Sequence, residues 1–149
     1  GYTVLALLTQ STRFRAAVMR GGHGDLVAAL GILEPSGHAF GLLREEGRMK
    51  GTIWNARSRY IANSPIYELD RVHTPLLIIH GEEDTTIPVF LADQIFASLQ
   101  RLGQNVEYAR YGGENHTEAR WAHENQRDYL KRMIGWFQTY LKGDSGDDR

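Results

Sequence analysis

Two short loops hold the side chains best suited to reactive chemistry. One reads His80-Gly81-Glu82-Glu83-Asp84 and the other Gly112-Gly113-Glu114-Asn115-His116. Each follows an apolar, strand-like run, and Asp84 and His116 stand 32 residues apart, the length of one strand–helix unit. In doubly wound sheets ligands bind outside the carboxyl ends of the strands, so the loops after neighbouring strands share one rim. A carboxylate and an imidazole placed there converge. The acid accepts a proton bond from one ring nitrogen and leaves the other free to act as a base.

The other candidates read differently. Glu82 and Glu83 compete with Asp84 as carboxylates, but both read as solvated loop residues. His80 is expected to pack or hydrogen-bond at its strand end. His23, His38, His73 and His123 show no spacing that suggests metal ligation, so no metal and no cofactor are expected. Trp54, Trp121 and Trp136 read as packing anchors, with Trp121 near enough to the histidine loop to border a site. Gly21, Gly22 and Gly24 are candidates for lining a pocket. No Gly-Lys-Ser/Thr follows a glycine-rich turn, which argues against a phosphate loop.

These loops need a scaffold. Val4, Leu5, Leu7 and Leu8 recur at helical spacing between Gly1 and Thr9, with no capping residue ahead of them. Phe14 to Met19 is a short apolar run closed by Gly21-Gly22 and reads as a buried strand. From His23 to Asp70 the pattern loosens into scattered glycines and mixed charge, which suggests short helices lying over the rest. Leu76-Leu77-Ile78-Ile79, bounded by Pro75 and Gly81, has the signature of a parallel strand covered on both faces. Pro88 then opens a helix whose Leu91, Ile95, Phe96, Leu99 and Leu102 form one stripe, and Gly103 ends it. Val106 to Tyr111 reads as the next strand. A long helix follows, with Tyr129, Leu130, Met133, Ile134, Phe137, Tyr140 and Leu141 expected to pack on the sheet. Asp144 to Arg149 reads as a disordered polar tail. The order is that of an α/β fold, a mostly parallel sheet with helices on both faces.

Composition narrows the function classes. The chain has 149 residues, 42% hydrophobic, with a formal net charge of −1 and basic residues spread along its length. That leaves no electrostatic footprint for nucleic acid or anionic lipid, and no run is long enough to span a bilayer. The absence of cysteine excludes disulfides but leaves the compartment open. The first residue is glycine, and about three strands are few for a sheet covered on both faces. The expectation is a piece of a longer parent, residues 1–143 forming the C-terminal portion of its catalytic domain and 144–149 a tail.

The order of acid before base matches the α/β-hydrolases, whose serine precedes both on a G-x-S-x-G elbow. None of Ser11, Ser36, Ser58, Ser64, Ser98 or Ser145 has glycines at both flanking positions. Taken together the chain resembles the prolyl oligopeptidase family of serine peptidases. Gly1-Tyr2-Thr3 is similar to the end of that family's nucleophile motif, LLIIHGEED (76–84) to its acid strand and loop, GGENH (112–116) to its histidine loop, and YIANSPIYEL (60–69) to the segment before the acid strand. Where many members carry glycine after the histidine, this chain has Thr117. The resemblance implies a Ser-Asp-His triad in which Asp84 and His116 come from this chain, a serine lies upstream of Gly1, and short peptides are the substrate. It further implies the N-terminal remainder of the parent protein as partner. A carboxylesterase or related acyl hydrolase on the same fold, and a noncatalytic structural piece inactive alone, are the competing expectations.

Overall fold

The computed structural model describes residues 1–34 and 36–142, so the expected tail at 144–149, like Gly143, lies outside the described residues. Three parallel strands, β1 (Ala17–Arg20), β2 (Leu76–Gly81) and β3 (Val106–Tyr111), form one sheet in the order β1-β2-β3. Ala17 pairs with Leu76 and Leu76 with Val106, while Arg20 aligns with Ile79 and Gly81 with Tyr111. The strand tips at Gly21, Glu82 and Gly112 therefore open on one rim.

β2 lies in the centre, and every one of its residues is buried. Its alternate side chains feed two cores, as the period-two geometry of a strand requires. Leu76 and Ile78 join Ala17, Met19 and Val106 on the face covered by α1 (Tyr2–Gln10) and α5 (Phe90–Arg101), which contribute Leu5, Leu8, Ala92, Ile95 and Leu99. Leu77 and Ile79 join Val18, Ala109 and Tyr111 on the opposite face, under α6 (His123–Leu141). Fully burying each such side chain contributes about 1.5–3 kcal/mol, so β2 anchors the rim rigidly. α5 stops at a Schellman closure: Gly103 takes φ +70° and Gln104 N–H reaches the Leu99 carbonyl at 3.0 Å.

Four features differ from the sequence reading. The first strand begins at Ala17, not Phe14, and Phe14 is exposed. Its ladder starts where Ala17 N–H donates to the Pro75 carbonyl, because Pro75 has no N–H with which to extend the pairing further back. In α6 the face on the sheet is Tyr129, Met133, Trp136 and Tyr140, at helical steps of four, three and four. Leu130, Ile134 and Leu141 are exposed, rotated off that stripe, and Leu102 is likewise exposed at the end of α5. Trp54 does not anchor packing, since it is 78% exposed.

The loosely patterned middle forms a cap of three short helices, α2 (Leu26–Ala29), α3 (Phe40–Met49) and α4 (Arg57–Ala62), followed by a 3-10 turn at Pro65–Arg71. Asp25 caps α2, its Oδ1 accepting from Val27 N–H at 2.8 Å and Ala28 N–H at 3.0 Å. The cap has its own core of Leu26, Ala56 and Tyr60, with Tyr2 of α1 packed against it. Tyr60 is fully buried and its hydroxyl donates to the Gly51 carbonyl at 3.0 Å. Ser64 ties the cap down, donating to the Tyr60 carbonyl at 2.7 Å and accepting from Leu26 N–H at 2.9 Å. The cap thus sits beside the start of α1 and over the rim.

Candidate active site

Asp84 and His116 meet on the rim: His116 Nδ1 lies 2.7 Å from Asp84 Oδ2. Asp84 is buried by the turn that follows β2, where its Oδ1 accepts from Thr86 N–H at 2.9 Å and Ile87 N–H at 2.7 Å. Burial alone raises its pKa, but hydrogen bonds from His80, the Ile87 amide and His116 outweigh that and hold the carboxyl below its ordinary value. An ionised carboxylate only accepts, so His116 Nδ1 carries the proton of the shared bond. Nε2 is left as the free acceptor on a side chain 39% exposed. This pair can take up and return a proton at the rim. Glu82 and Glu83 are exposed, as expected of solvated loop residues.

The histidine loop is held from several sides. Glu114 is buried, and its Oε1 accepts from Ala122 N–H at 2.8 Å, at the amino end of α6, and from Asn125 Nδ2 at 2.6 Å. Trp121, buried as expected, donates its indole N–H to the Asn115 carbonyl at 2.7 Å. The Glu114 carbonyl accepts from Glu83 N–H at 2.8 Å, and a Cβ at Gly81 would collide with the Glu114 backbone. Beyond His116, Glu118 pairs with Arg20 of the β1 tip at 3.1 Å. Nothing in the sequence around Glu114 marks this role. Its partner Ala122 is eight residues away, outside the spacing of any local capping motif, so no short-range signal existed.

Gly21 and Gly22 lie between His116 and the start of α1. Gly21 takes φ +47°, and a Cβ there would stand 3.0 Å from His116 Cε1. A Cβ on Gly22 would stand 2.8 Å from the Gly1 Cα, so α1 begins directly beside the acid–base pair. Gly24, expected in the pocket, instead packs against Leu5 and Ile95 in the core. A cavity of about 260 Å³ opens beside the Asp84 turn, between it and the cap, lined by His23, Ile32, Arg44, Glu45, Thr86 and Ile87 among others. The Glu45 side chain is 3% exposed, and its Oε1 accepts from Arg44 at 3.1 Å and Arg48 at 3.0 Å. Burial lowers the His23 pKa; Glu45 works against that but does not reverse it.

The family model described as the prolyl oligopeptidase family matches residues 1–144. The chain belongs to the prolyl oligopeptidase family. The chain is 26% identical to the Bacillus subtilis uncharacterized peptidase YuxL over 142 residues, which is 95% of this chain and 21% of the relative. The chain therefore spans about a fifth of that relative's length. Among solved structures, an uncomplexed acylaminoacyl peptidase from Pyrococcus horikoshii superposes with a TM-score of 0.83 at 23% identity, covering 99% of this chain and 24% of that one. A puromycin-hydrolyzing peptidase from Mycobacterium tuberculosis superposes with a TM-score of 0.79 at 24% identity, covering 96% of this chain and 21% of that one. The sheet and helices seen here thus have the α/β-hydrolase fold of those structures.

Proposed function

We propose that this chain supplies the acid and base of a serine peptidase that cleaves short peptides, with residues 1–143 forming the C-terminal part of its catalytic domain. The observation that carries the reading is the bond between His116 Nδ1 and Asp84 Oδ2 on the same rim as the start of α1. Family membership supports the reaction class, and the acylaminoacyl and puromycin-hydrolyzing peptidases that share the fold support peptides and related amides as substrates.

In this mechanism a serine upstream of Gly1 attacks the scissile carbonyl while His116 Nε2 takes its proton. Asp84 orients the ring and stabilises the imidazolium through Nδ1. Collapse of the tetrahedral intermediate breaks the C–N bond, and His116 returns the proton to the leaving amine. Water then enters, His116 takes one of its protons, and the acyl-enzyme is hydrolysed to the acid and the free serine. The cavity beside Thr86 and Ile87 receives a substrate side chain, and the N-terminal remainder of the protein completes the site.

The test uses the whole protein. A fluorophosphonate probe should label one serine upstream of Gly1 and none of the serines of this chain, and peptide amides should be turned over. Labelling within this chain would show the nucleophile to be misassigned. Rapid hydrolysis of simple esters with no amide turnover would make the protein an acyl hydrolase of another kind.

A further inference from the structure

We propose that His80 is a positioning residue for the acid–base pair: its buried Nε2–H, shared between the Ile87 carbonyl and Asp84 Oδ2, pins the carboxylate and sets how firmly His116 holds its proton. The proposal rests on the peptidase reading above and adds a third imidazole–carboxylate member to it.

The geometry singles His80 out. Its side chain is wholly buried at the end of β2, and Nε2 lies 2.7 Å from the Ile87 carbonyl and 3.2 Å from Asp84 Oδ2. Both neighbours are acceptors, so Nε2 carries the hydrogen and donates a bifurcated bond. Nδ1 is buried with no hydrogen-bond partner among the described residues. A histidine kept in the core only for packing would not leave that nitrogen bare, because an unpaired buried polar atom costs stability. A leucine there would avoid the cost. What His80 supplies is therefore an N–H that reaches both the acid's Oδ2 and the Ile87 carbonyl of the turn carrying it.

The consequence follows from where that hydrogen lands. Oδ2 is also the atom that accepts from His116, at 2.7 Å, while Oδ1 is filled by the Thr86 and Ile87 amides. Two imidazoles thus draw on the same oxygen. Removing the His80 donor concentrates the carboxylate's charge on His116 and strengthens the imidazolium. The other charges facing the pair leave Oδ2 untouched: Arg20 and Glu118 are bonded to each other, Glu114 to Ala122 and Asn125, and Glu82 to Arg110, while Glu83 is exposed.

The test compares His80→Phe, which fills the space without a donor, with His80→Gln, which keeps an N–H, in the whole enzyme. The acidic limb of the kcat/KM profile against pH should move up by about 0.5–1 unit in His80→Phe, with kcat reduced and KM little changed. His80→Gln should restore the limb towards wild type. A limb that stays in place in a folded His80→Phe enzyme overturns the proposal. If that variant does not fold, wild-type enzyme with 15N-labelled histidine decides: the His80 Nε2–H signal should shift with the same midpoint as His116. A His80 signal indifferent to His116 titration refutes the sharing. This readout needs no turnover, so it separates failure of this inference from failure of the peptidase reading, which would show as no amide hydrolysis by wild type.

Discussion

Replacing Asp84 with Asn tests the acid most sharply. The amide oxygen would take over the two bonds from Thr86 and Ile87 N–H, now 2.9 and 2.7 Å, because only an oxygen accepts from both. That choice turns the NH2 toward His116 Nδ1, now 2.7 Å from Oδ2. Nδ1 must then accept, its proton moves to Nε2, and the ring has no free site to receive a proton from a nucleophile. Wrong-tautomer substitutions of this kind cost about 10⁴ in kcat, or about 5.4 kcal/mol of barrier. The NH2 also faces the His80 N–H, which keeps its bond to the Ile87 carbonyl at 2.7 Å but meets a donor where it had an acceptor, and stability falls by about 1–3 kcal/mol. Steady-state hydrolysis of a chromogenic peptide amide by the whole enzyme measures the first effect and urea unfolding the second. Glu82→Gln and Glu83→Gln, both at exposed positions, serve as controls and should stay within about twofold of wild type. An Asp84→Asn enzyme within tenfold of wild type, or a Glu83→Gln enzyme equally impaired, would refute the reasoning.

Other substitutions probe the supports. Gly21→Ala should lower kcat by about 10–100-fold, since its Cβ would crowd the His116 ring and a 1 Å displacement has that scale of effect; steady-state kinetics reads it, with KM nearly constant. Glu114→Ala should reduce stability by about 1–3 kcal/mol by stranding the Ala122 and Asn125 donors, seen as an earlier urea midpoint in Trp121 and Trp136 fluorescence. Burial lowers the pKa of His23 in the folded state, so the unfolded chain takes up the proton first as pH falls through about 6.5. Stability should therefore decline from about pH 7.5 downward through that value and level off below the folded pKa, and His23→Gln should flatten that slope in pH-dependent unfolding.

The parts readable from the residues were those whose signals are local. Leu76–Ile79 between Pro75 and Gly81 announces a buried strand without help from its neighbours, and α5 carries both its stripe and its glycine stop. Asp84 and His116 could be paired because two consecutive strand–helix units necessarily bring their loops to one rim. The cap was not readable. α2 has four residues and α4 six, too short for periodicity to declare itself, and both are held by distant bonds such as Leu26 N–H to Ser64 Oγ across 38 residues. The face of α6 on the sheet is narrower than its apolar stripe, which spans nearly half the helix circumference, and only contact with the sheet selects Tyr129, Met133, Trp136 and Tyr140.

The close approach of Gly81 to the Glu114 main chain, joined by the Glu83 amide, makes the loops that carry Asp84 and His116 one piece of masonry. Their spacing is set by peptide atoms, not by side chains that could swing, so thermal displacement of one carries the other along. Anyone exchanging these loops between homologous enzymes must therefore transplant 81–84 and 112–116 as a pair. A chimera that takes only one would meet a seam that has no slack to absorb it.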